Sequence, residues 1–582
     1  MGLLRHHLIV YGVLLAAIVA VVPLDASFGS DDGAYAAQVY ALRQNGIDLT
    51  DPGHWALSRP LPVVAQPFEG WLNAAVTSAG PTPYTANPAY SILLTVVAGL
   101  VHGPVRAGET AGSLGAGLHL VPLAAAMAAA AVAWALASTW RRDAAPLAFW
   151  LVGLSPLLVS ATTLWAHTLA GALGGLSVLA LARLVRSDHR RRQVAWAMLL
   201  MLALTAAAVV RSEAVLWIVA LAAGAVAARS RVALLAAVPA CAVAGTAWFV
   251  ARAWGASLRA DRLPVETSIL ALTDQPSWLA GRAPAAWLLL LAEKPAASTT
   301  ALTIAGVILA AFAGWRARTT LGANMITIAL VAAAGVYVVR SIQGPGMAIT
   351  GLFGAWPVAL CLLIAGAGAA VIGDGSTTTE LRAEGLTIWT RASSLPITPF
   401  LVVPALVLTA AVLATQHANS GGLQWGGRYL SFLIVPVAAA AAVTGIDHVR
   451  RHRVGFAALM VAPAIAGVVT AATLHRGHHR IVEAATAPGA PVVVTEFAEL
   501  PRIAWPALPT TFYRAQGDTV GFLLDDLAEA GVSHVTIHGL ESVPLDGTAG
   551  YTVVATDGII RTLELTSPVE PASPEASVRP SP

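Results

Sequence analysis

Charged residues are scarce in this sequence. Asp, Glu, Lys and Arg make up only 11% of its 582 residues, and Lys294 is the sole lysine. Hydrophobic residues account for 57%, and the mean hydropathy is +0.71. This composition excludes a soluble globular protein. The net charge of +3 comes from short basic clusters between apolar runs, which is not the pattern of a nucleic-acid-binding face.

Cysteine is almost absent, and several sequence signatures are missing. Cys241 and Cys361 lie inside apolar runs, so the sequence predicts neither a disulfide framework nor a thiolate metal site. There is no Gly-rich phosphate-binding loop and no His-Glu metalloprotease pattern, which argues against direct use of a nucleotide sugar or ATP. No internal repeat is evident, which weakens the case for an inverted-repeat transporter.

Apolar runs of about 17 to 25 residues, the length that a bilayer-spanning helix needs, recur up to residue 473. The first run has no small-residue cleavage site and is interpreted as a retained span. We predict about thirteen spans. They are 8–24, 112–138, 144–160, 168–185, 194–210, 213–228, 232–250, 299–315, 322–339, 348–372, 398–414, 429–446 and 454–473.

Basic clusters decide the predicted topology, because short cytoplasmic loops carry an excess of Lys and Arg. The clusters lie near residues 5–7, 141–142, 186–192, 229–231, 316–318 and 448–453. All of these clusters fall on the same side of the membrane if the apolar stretch 88–101 lies on the outer membrane surface and does not cross the bilayer. That stretch is short for a span and contains Pro88. The sequence therefore predicts a multi-pass protein of a bacterial plasma membrane, with a cytoplasmic N-terminus.

The predicted membrane domain covers residues 1–474 and is followed by a second domain. Two external loops interrupt the spans, at 25–111 and 251–298, and residues 373–397 form a cytoplasmic loop. Residues 480–566 are predicted to form a small extracytoplasmic α/β domain, and the Pro-, Ser- and Glu-rich residues 567–582 a disordered tail. Within the second domain the predicted elements are strands at 491–495 and 533–538, a helix at 519–530 and a hairpin at 551–565.

Polar groups gather at the predicted outer ends of five hairpins, although a charge in or at the membrane costs about 2.5–3.5 kcal/mol. These groups are Asp31 and Asp32 after the first span, Trp165 and His167, Arg211 and Glu213, Arg340, and Gln424, Trp425, Arg428 and Tyr429. Simpler interpretations exist for each group. Asp31 and Asp32 are compatible with a solvated loop that caps a helix near Ala34. Arg211 and Glu213 are compatible with a structural ion pair. His167 is compatible with an ordinary rim histidine, and Arg428 and the aromatic residues with interfacial anchors.

Taken together, these groups fit sugar transfer from a polyprenyl-phosphate donor. A carboxylate would accept the proton of the attacking hydroxyl. Arginine would neutralise the departing phosphate, because its planar fork suits phosphate geometry. An apolar groove between helices would hold the prenyl chain. The sequence predicts all three elements on the same membrane face.

Residues 8–446 resemble the GT-C superfamily of polytopic glycosyltransferases. The sequence is similar to the branch with protein O-mannosyltransferases, aminoarabinose transferases and actinobacterial envelope mannosyl- and arabinosyltransferases. The motifs that carry the resemblance are Ser30-Asp31-Asp32-Gly33, Asn87-Pro88-Ala89-Tyr90, Arg141-Arg142, Leu154-Ser155-Pro156 and, most specifically, Gln424-Trp425-Gly426-Gly427-Arg428-Tyr429-Leu430.

The resemblance implies an all-α, GT-C-like membrane fold and an inverting transferase. It implies that Asp31 or Asp32 is the general base, with the choice left open, and that Arg428 contacts the donor phosphate. Relatives often carry an acidic residue, sometimes a metal ligand, where this chain has Trp165 and His167. No cofactor is firmly predicted, but a divalent metal ion held by His167 with Asp31 or Asp32 stays open.

The leading hypothesis is transfer of a sugar of the mannose or arabinofuranose class to an envelope glycan, lipid or protein. Arg211, Glu213, Arg340, Gln424, Trp425, Arg428 and Tyr429 are the candidate substrate-binding residues. One alternative is a transporter or flippase of a lipid-linked sugar that uses Arg211, Arg340 and Arg428 as headgroup contacts. Another is an assembly protein whose transferase core has decayed. No nucleic-acid partner is predicted.

Overall fold

Long apolar helices dominate the computed structural model, which describes residues 2–46, 88–106, 109–257, 289–291, 306, 320–342, 351–371, 397–415, 427–497, 500–507, 510–515, 520–529, 531–539 and 550–565. Within these ranges, eight helices are long and apolar enough to cross a membrane, and four shorter apolar helices accompany them. The architecture is that of a polytopic helical membrane protein, as the composition predicts. The predicted number of about thirteen spans stays a prediction.

The α-helices are numbered in chain order. They are α1 Gly2–Val21, α2 Ser30–Asn45, α3 Pro88–His102, α4 Gly115–Ala137, α5 Ala145–Gly153, α6 Leu157–Ser160, α7 His167–Arg186, α8 Arg190–Val210, α9 Ala214–Ala227, α10 Arg231–Ser257, α11 Thr320–Ile342, α12 Leu352–Ala355, α13 Pro357–Val371, α14 Val403–Thr415, α15 Ile434–Arg451, α16 Arg453–Thr486, α17 Leu500–Ile503 and α18 Val520–Glu529. Short 3-10 helices occupy Gly112–Leu114, Arg142–Ala144, Arg428–Leu433 and Trp505–Ala507, and a π-helical turn occupies Thr398–Val402.

The segment predicted as a span at 144–160 is not one continuous helix. It divides into α5 and α6 at Ser155 and Pro156. Pro156 has no N–H to donate, and the Ser155 hydroxyl accepts the N–H of Leu157 at 3.2 Å in place of a helical carbonyl. The nine residues of α5 reach only about 13 Å, less than half the hydrocarbon thickness. The predicted span at 299–315 lies outside the described residues, apart from residue 306.

Helices α7 and α15 form the centre of the bundle. Both are largely buried, because apolar or small residues cover almost their whole circumference. Gly174 faces the Phe432 backbone, and Gly175 faces the side chain of Val435 so closely that a Cβ would overlap it. Small residues allow this close approach, which membrane helices use to gain van der Waals contact.

An ion-pair cluster ties the 141–143 turn to the end of α15. Arg141 contacts Asp143 and Asp447, each at 2.9 Å, and Arg450 contacts Asp143 at 2.9 Å. The predicted basic clusters at 141–142 and 448–453 therefore lie at the same end of the bundle. This is the relation that the charge-based topology requires, whereas the orientation in a membrane stays a prediction.

Helix α7 connects this end to the opposite one. Its last turn reaches the ion-pair end, where the Arg186 guanidinium donates to the Thr139 carbonyl. The helix has 20 residues and is therefore about 30 Å long. His167, its first residue, thus lies about a bilayer core away from the basic end.

The C-terminal segment forms a five-stranded sheet of order β2-β1-β3-β5-β4. The strands are β1 Val492–Thr495, β2 Thr511–Arg514, β3 His534–His538, β4 Tyr551–Asp557 and β5 Ile560–Leu565. β1 pairs in parallel with β2 and β3, whereas β5 is antiparallel to β3 and β4. The predicted strands, helix and hairpin are present, as expected for a small α/β unit. The four residues of β2 are not predicted, because they lack the continuous run of β-branched residues that marks β1.

Helix α16 joins the bundle to this sheet. It continues well beyond the predicted end at residue 473, to Thr486, and its 34 residues extend about 51 Å. It is therefore longer than the hydrocarbon core of a bilayer, about 30 Å, and its C-terminal end contacts the sheet. Its buried residues Val482 and Ala485 pack with Val493 of β1.

Candidate active site

Asp32 fastens the start of α2 to a distant turn. The helix begins after Gly29, and Asp32, its third residue, accepts the N–H of Gly29 at 3.3 Å in the manner of a capping box. The same oxygen, Oδ2, accepts the N–H of Phe28 at 2.7 Å, and Oδ1 accepts the N–H of Leu164 at 2.8 Å. The carboxylate is 1% exposed. Asp32 thus contributes to a helix cap, as one interpretation of the sequence expects. It does so from the third position of a helix that starts at Ser30 and not near Ala34, and it is buried and not in a solvated loop.

Trp165 lies at the centre of the cluster that this turn brings together. Its ring packs edge-on against Phe28 and His167, with centroid distances of 5.5 and 5.1 Å. The Tyr90 hydroxyl of α3 donates to the Trp165 carbonyl at 3.4 Å. Three separate segments, the loop before α2, helix α3 and the start of α7, therefore meet at this one tryptophan.

Tyr90 is a neutral hydrogen-bond donor in this cluster. Burial, with smaller contributions from Tyr35 and Asp32, raises the pKa of its phenol well above the usual value, against an opposing effect of Arg211. The Tyr35 ring packs edge-on against the Tyr90 ring at 5.2 Å. Tyr90 was noted in the sequence only as part of a proline-aromatic motif, because no sequence signal links it to Trp165.

Arg428 reaches the cluster from the other end of the chain. Its Cζ lies 5.8 Å from the Trp165 ring centroid and 5.0 Å from that of Tyr429, and its Nη2 donates to the Tyr429 hydroxyl at 3.0 Å. Gly427 sets this geometry, because it has φ of +61° and a Cβ there would lie 2.6 Å from the Leu289 carbonyl oxygen. The structure therefore brings Arg428 and Tyr429 together with Trp165 and His167, as predicted for one site.

Arg211 and Glu213 form a buried bidentate ion pair in the turn between α8 and α9. Arg211 Nε and Nη2 donate to the two Glu213 oxygens at 3.0 and 2.7 Å. Ser212 donates to the same carboxylate, and its carbonyl accepts the indole N–H of Trp248 at 2.9 Å. This geometry supports the simpler interpretation of a structural ion pair. It also leaves the Arg211 charge near His167, which is within electrostatic reach of both Arg211 and Arg428.

Three buried polar atoms at the start of α7 have no hydrogen-bond partner among the described residues. They are Trp165 Nε1, His167 Nδ1 and Thr168 Oγ1, on side chains that are at most 3% exposed. A buried polar atom without a partner is costly, so each marks a place where a bound group would be stabilised. The start of a helix additionally favours an anion. Thr168 was not singled out in the sequence.

Several predicted site residues cannot be placed. The backbone of Asp31 lies in α2 and that of Arg340 in α11, but their side chains lie outside the described part of the structure, as do Gln424 and Trp425 entirely. Among the described residues, no group of three or more His, Cys, Asp or Glu side chains is arranged to hold a metal ion. A metal site that uses His167 with Asp31 or Asp32 stays a prediction.

An apolar cavity of about 230 Å³ lies beside this cluster, between α12, α13, α14 and α15. Thr409 is the sole polar residue of its lining, and Leu433 and Val402 contribute to the wall. Leu433 is the last residue of the 3-10 helix that begins at Arg428, and six such residues extend about 10 Å. The cavity wall and Arg428 therefore belong to the two ends of one short helix.

The C-terminal segment closes over the loop before α2. His475 and His478 of α16 contact the carbonyls of Ala26 and Ser27 at 3.0 and 2.8 Å. The Ser27 hydroxyl donates to the Ile503 carbonyl at 3.2 Å. Trp505, 1% exposed, belongs to the buried cluster that contains the aromatic residues of α2 and α3. The loop that leads to Asp32 is thus held by the C-terminal part of the chain.

The chain is similar in structure to solved structures of ArnT and of the oligosaccharyltransferase AglB. No protein-family model and no curated protein matches it. ArnT from Cupriavidus metallidurans, bound to undecaprenyl phosphate, matches with a TM-score of 0.44 and 13% identity, over 97% of this chain and 99% of ArnT. The oligosaccharyltransferase AglB from Archaeoglobus fulgidus, with an inhibitory peptide and a dolichol-phosphate, matches with a TM-score of 0.45 and 11% identity, over 91% and 69% of the two chains.

Each TM-score is below 0.5. The roles of individual residues therefore rest on the contacts within this chain.

Proposed function

We propose that this protein is a membrane glycosyltransferase. It transfers a sugar of the mannose or arabinofuranose class from a polyprenyl-phosphate donor to a cell-envelope glycan, lipid or protein on the extracytoplasmic face. One observation carries the proposal: the carboxylate-bearing start of α2, the Arg428 guanidinium and the buried polar atoms at the start of α7 converge at one end of the bundle. This end also borders an apolar cavity.

The donor phosphate would lie between Arg428 and the start of α7. Arg428 supplies positive charge, and Trp165 Nε1 and Thr168 Oγ1 supply hydrogen bonds that are otherwise unmade. The prenyl chain would extend along the 428–433 helix into the apolar cavity, where contact with α14 and α15 replaces contact with lipid. Arg211 contributes charge at longer range while it remains paired with Glu213. Arg340, Gln424, Trp425 and Tyr429 remain candidate substrate contacts.

The reaction needs one proton transfer and one displacement. A carboxylate of the Asp31-Asp32 pair accepts the proton of the acceptor hydroxyl, whose oxygen bonds to the anomeric carbon of the sugar. The bond from that carbon to the phosphate oxygen breaks, and its electron pair leaves with the polyprenyl phosphate. A single displacement of this kind inverts the anomeric configuration. A positioned base contributes about 10²–10⁴-fold to such a step.

The test uses the purified full-length chain in lipid nanodiscs with envelope fractions as acceptor. Undecaprenyl-phosphate mannose and undecaprenyl-phosphate arabinofuranose, each isotopically labelled, are supplied in turn, and products are identified by mass spectrometry. We expect label in a new glycosidic bond with one donor, and none with the double variant Asp31→Asn/Asp32→Asn. Failure to transfer either sugar, or equal transfer by the double variant, would overturn the proposal. Movement of either donor across liposomes without a new bond would instead indicate a flippase.

A further inference from the structure

The two adjacent carboxylates at the start of α2 are not equivalent. Asp32 holds three backbone N–H groups, two from the loop before α2 and one from Leu164, which lies 132 positions further along the chain. We propose that Asp32 is a positioning residue that fixes the Leu164 turn, and that Asp31 is the base. This inference rests on the proposed glycosyl transfer and divides the roles within that site.

The hydrogen bonds of Asp32 oppose a role as base. A carboxylate that accepts several N–H bonds is stabilised in its ionised form, and it must give up at least one of those bonds to accept a proton. A general base also has to come within about 2.6–3.2 Å of the proton that it removes. Asp32 is 1% exposed and both of its oxygens are turned toward backbone groups. An acceptor hydroxyl therefore has no open approach to it.

The bond from Leu164 shows what Asp32 positions. Leu164 immediately precedes Trp165, on whose ring the Arg428 guanidinium lies. His167, two residues further on, begins α7. Fixing the Leu164 N–H against the start of α2 thus sets the distance between the carboxylate pair and the groups proposed to bind the phosphate. Small displacements of such groups weaken catalysis strongly, because the reacting atoms must be held close and aligned.

In this division, Asp31 accepts the proton of the acceptor hydroxyl as the new bond to the anomeric carbon forms. The electron pair of the breaking bond leaves with the polyprenyl phosphate. Asp32 stays ionised throughout and exchanges no proton. Removal of its charge should therefore disturb geometry without removing the base, whereas removal of the Asp31 charge should remove the base itself.

The matched variants Asp31→Asn and Asp32→Asn, made in the full-length chain in nanodiscs, separate the two roles. We expect kcat to fall by about 10²–10⁴-fold in D31N and by roughly tenfold in D32N, the size of one lost hydrogen bond to a charged group. Azide is an anionic acceptor that needs no base. It should restore consumption of the donor by D31N, with a glycosyl azide as the product. It should give no such gain in D32N. Rescue of D32N but not of D31N would overturn the assignment.

The pH dependence of kcat is a second measurement that distinguishes the base from a residue with a purely structural role. The fall in activity at acid pH reports protonation of the base. D32N should keep this fall, because Asp31 is still present, and the midpoint should stay where it is or move to lower pH, because a neighbouring negative charge has been removed. A base role for Asp32 predicts that D32N loses the fall.

Amide hydrogen exchange tests the positioning role without any substrate. We expect D32N to exchange faster than wild type in peptides that cover 22–29 and 160–167, and D31N to exchange like wild type in both. Asp32→Glu is the second variant, since Glu is favoured at this helix position and keeps the cap. Its longer side chain displaces the carboxylate from Leu164, so only 160–167 should exchange faster. Unchanged exchange at 160–167 in D32N and D32E would overturn the positioning role, whereas absence of transfer by wild type would overturn the proposed function alone.

Discussion

The Arg428 guanidinium lies over the ring of Trp165, with 5.8 Å between its Cζ and the ring centroid, although the two residues are far apart in the sequence. An arginine above an indole face is held by attraction to the negative face of the ring. The guanidinium is planar and permanently charged, the chemistry that suits a phosphate. This pair therefore couples the turn that Asp32 holds to the charge proposed to receive the leaving phosphate.

Replacement of Arg428 should reduce transfer through the loss of that charge. We expect kcat/KM to fall by about 10²–10³-fold in Arg428→Gln, as for the loss of one donor that stabilises a developing anion. The fall in Arg428→Lys should be about tenfold, because Lys keeps the charge without the planar fork. Arg252→Gln is the matched control, since Arg252 lies over Trp248 at 5.5 Å outside the proposed phosphate site. Equal losses in the Arg252 and Arg428 variants would contradict this role.

Gly427 should be required for the position of Arg428. Its φ of +61° is strained for a residue with a Cβ, and that Cβ would lie 2.6 Å from the Leu289 carbonyl oxygen. Gly427→Ala is expected to lower the free energy of unfolding by about 1–3 kcal/mol and to reduce kcat/KM. Gly245→Ala, in the interior of α10 with no heavy atom near the added Cβ, is the control and should leave stability unchanged or slightly raised. Thermal unfolding in detergent and the transfer assay measure both effects.

The sequence was informative about the helices and about which residues gather at one end. Asp32 follows the first apolar run and Arg428 opens a late one, so hydrophobic periodicity and basic clusters are enough to expect them on the same face. The partners of Asp32 could not be expected. They are backbone N–H groups, which every residue except proline carries, so nothing in the identity of Leu164 marks it as a partner.

The sequence also does not predict which residues pack together when they are far apart along the chain. Trp505 resembles any aromatic residue of a small α/β domain, yet it lies in the buried cluster around α2 and α3. The sequence predicts one continuous span where the structure has α5 and α6. The apolar run continues through Ser155 and Pro156, but the helical hydrogen bonds do not.

The ion-pair cluster at the other end of the bundle should make stability depend on pH. A hydrogen bond from Arg141, with added attraction from Arg450, lowers the pKa of Asp143 below its usual value against the opposing effect of burial. A carboxyl whose pKa is lower in the folded state stabilises the fold above its unfolded pKa, and this stabilisation is lost as the pH falls through the folded pKa. Asp143→Asn should therefore destabilise at about pH 7, and the difference from wild type should be smaller at about pH 3, because the stabilisation is lost as the pH falls from the unfolded pKa through the lower folded pKa.

Salt provides the control for the Asp143 effect. Because Asp143 is partly exposed, the difference between wild type and Asp143→Asn at neutral pH should also shrink in about 1 M salt, where the screening length is about 3 Å. Thermal unfolding at the two pH values and at two salt concentrations measures this. A difference that persists at acid pH would show that Asp143 acts through packing and not through its charge.

Trp505 should couple the C-terminal segment to the candidate active site. Its side chain is 1% exposed within the cluster that includes Tyr90, whose hydroxyl donates to the Trp165 carbonyl. Two residues earlier, the Ile503 carbonyl accepts the Ser27 hydroxyl. Trp505→Ala removes a large buried ring and is expected to cost about 3–5 kcal/mol of local stability. We expect faster amide exchange in peptides that cover 22–29 and 500–507, together with reduced transfer. Phe497→Ala, which removes a 45% exposed ring just after β1, is the control and should change neither. Transfer that stays normal in Trp505→Ala while exchange at 500–507 rises would show that docking of this segment does not support the site.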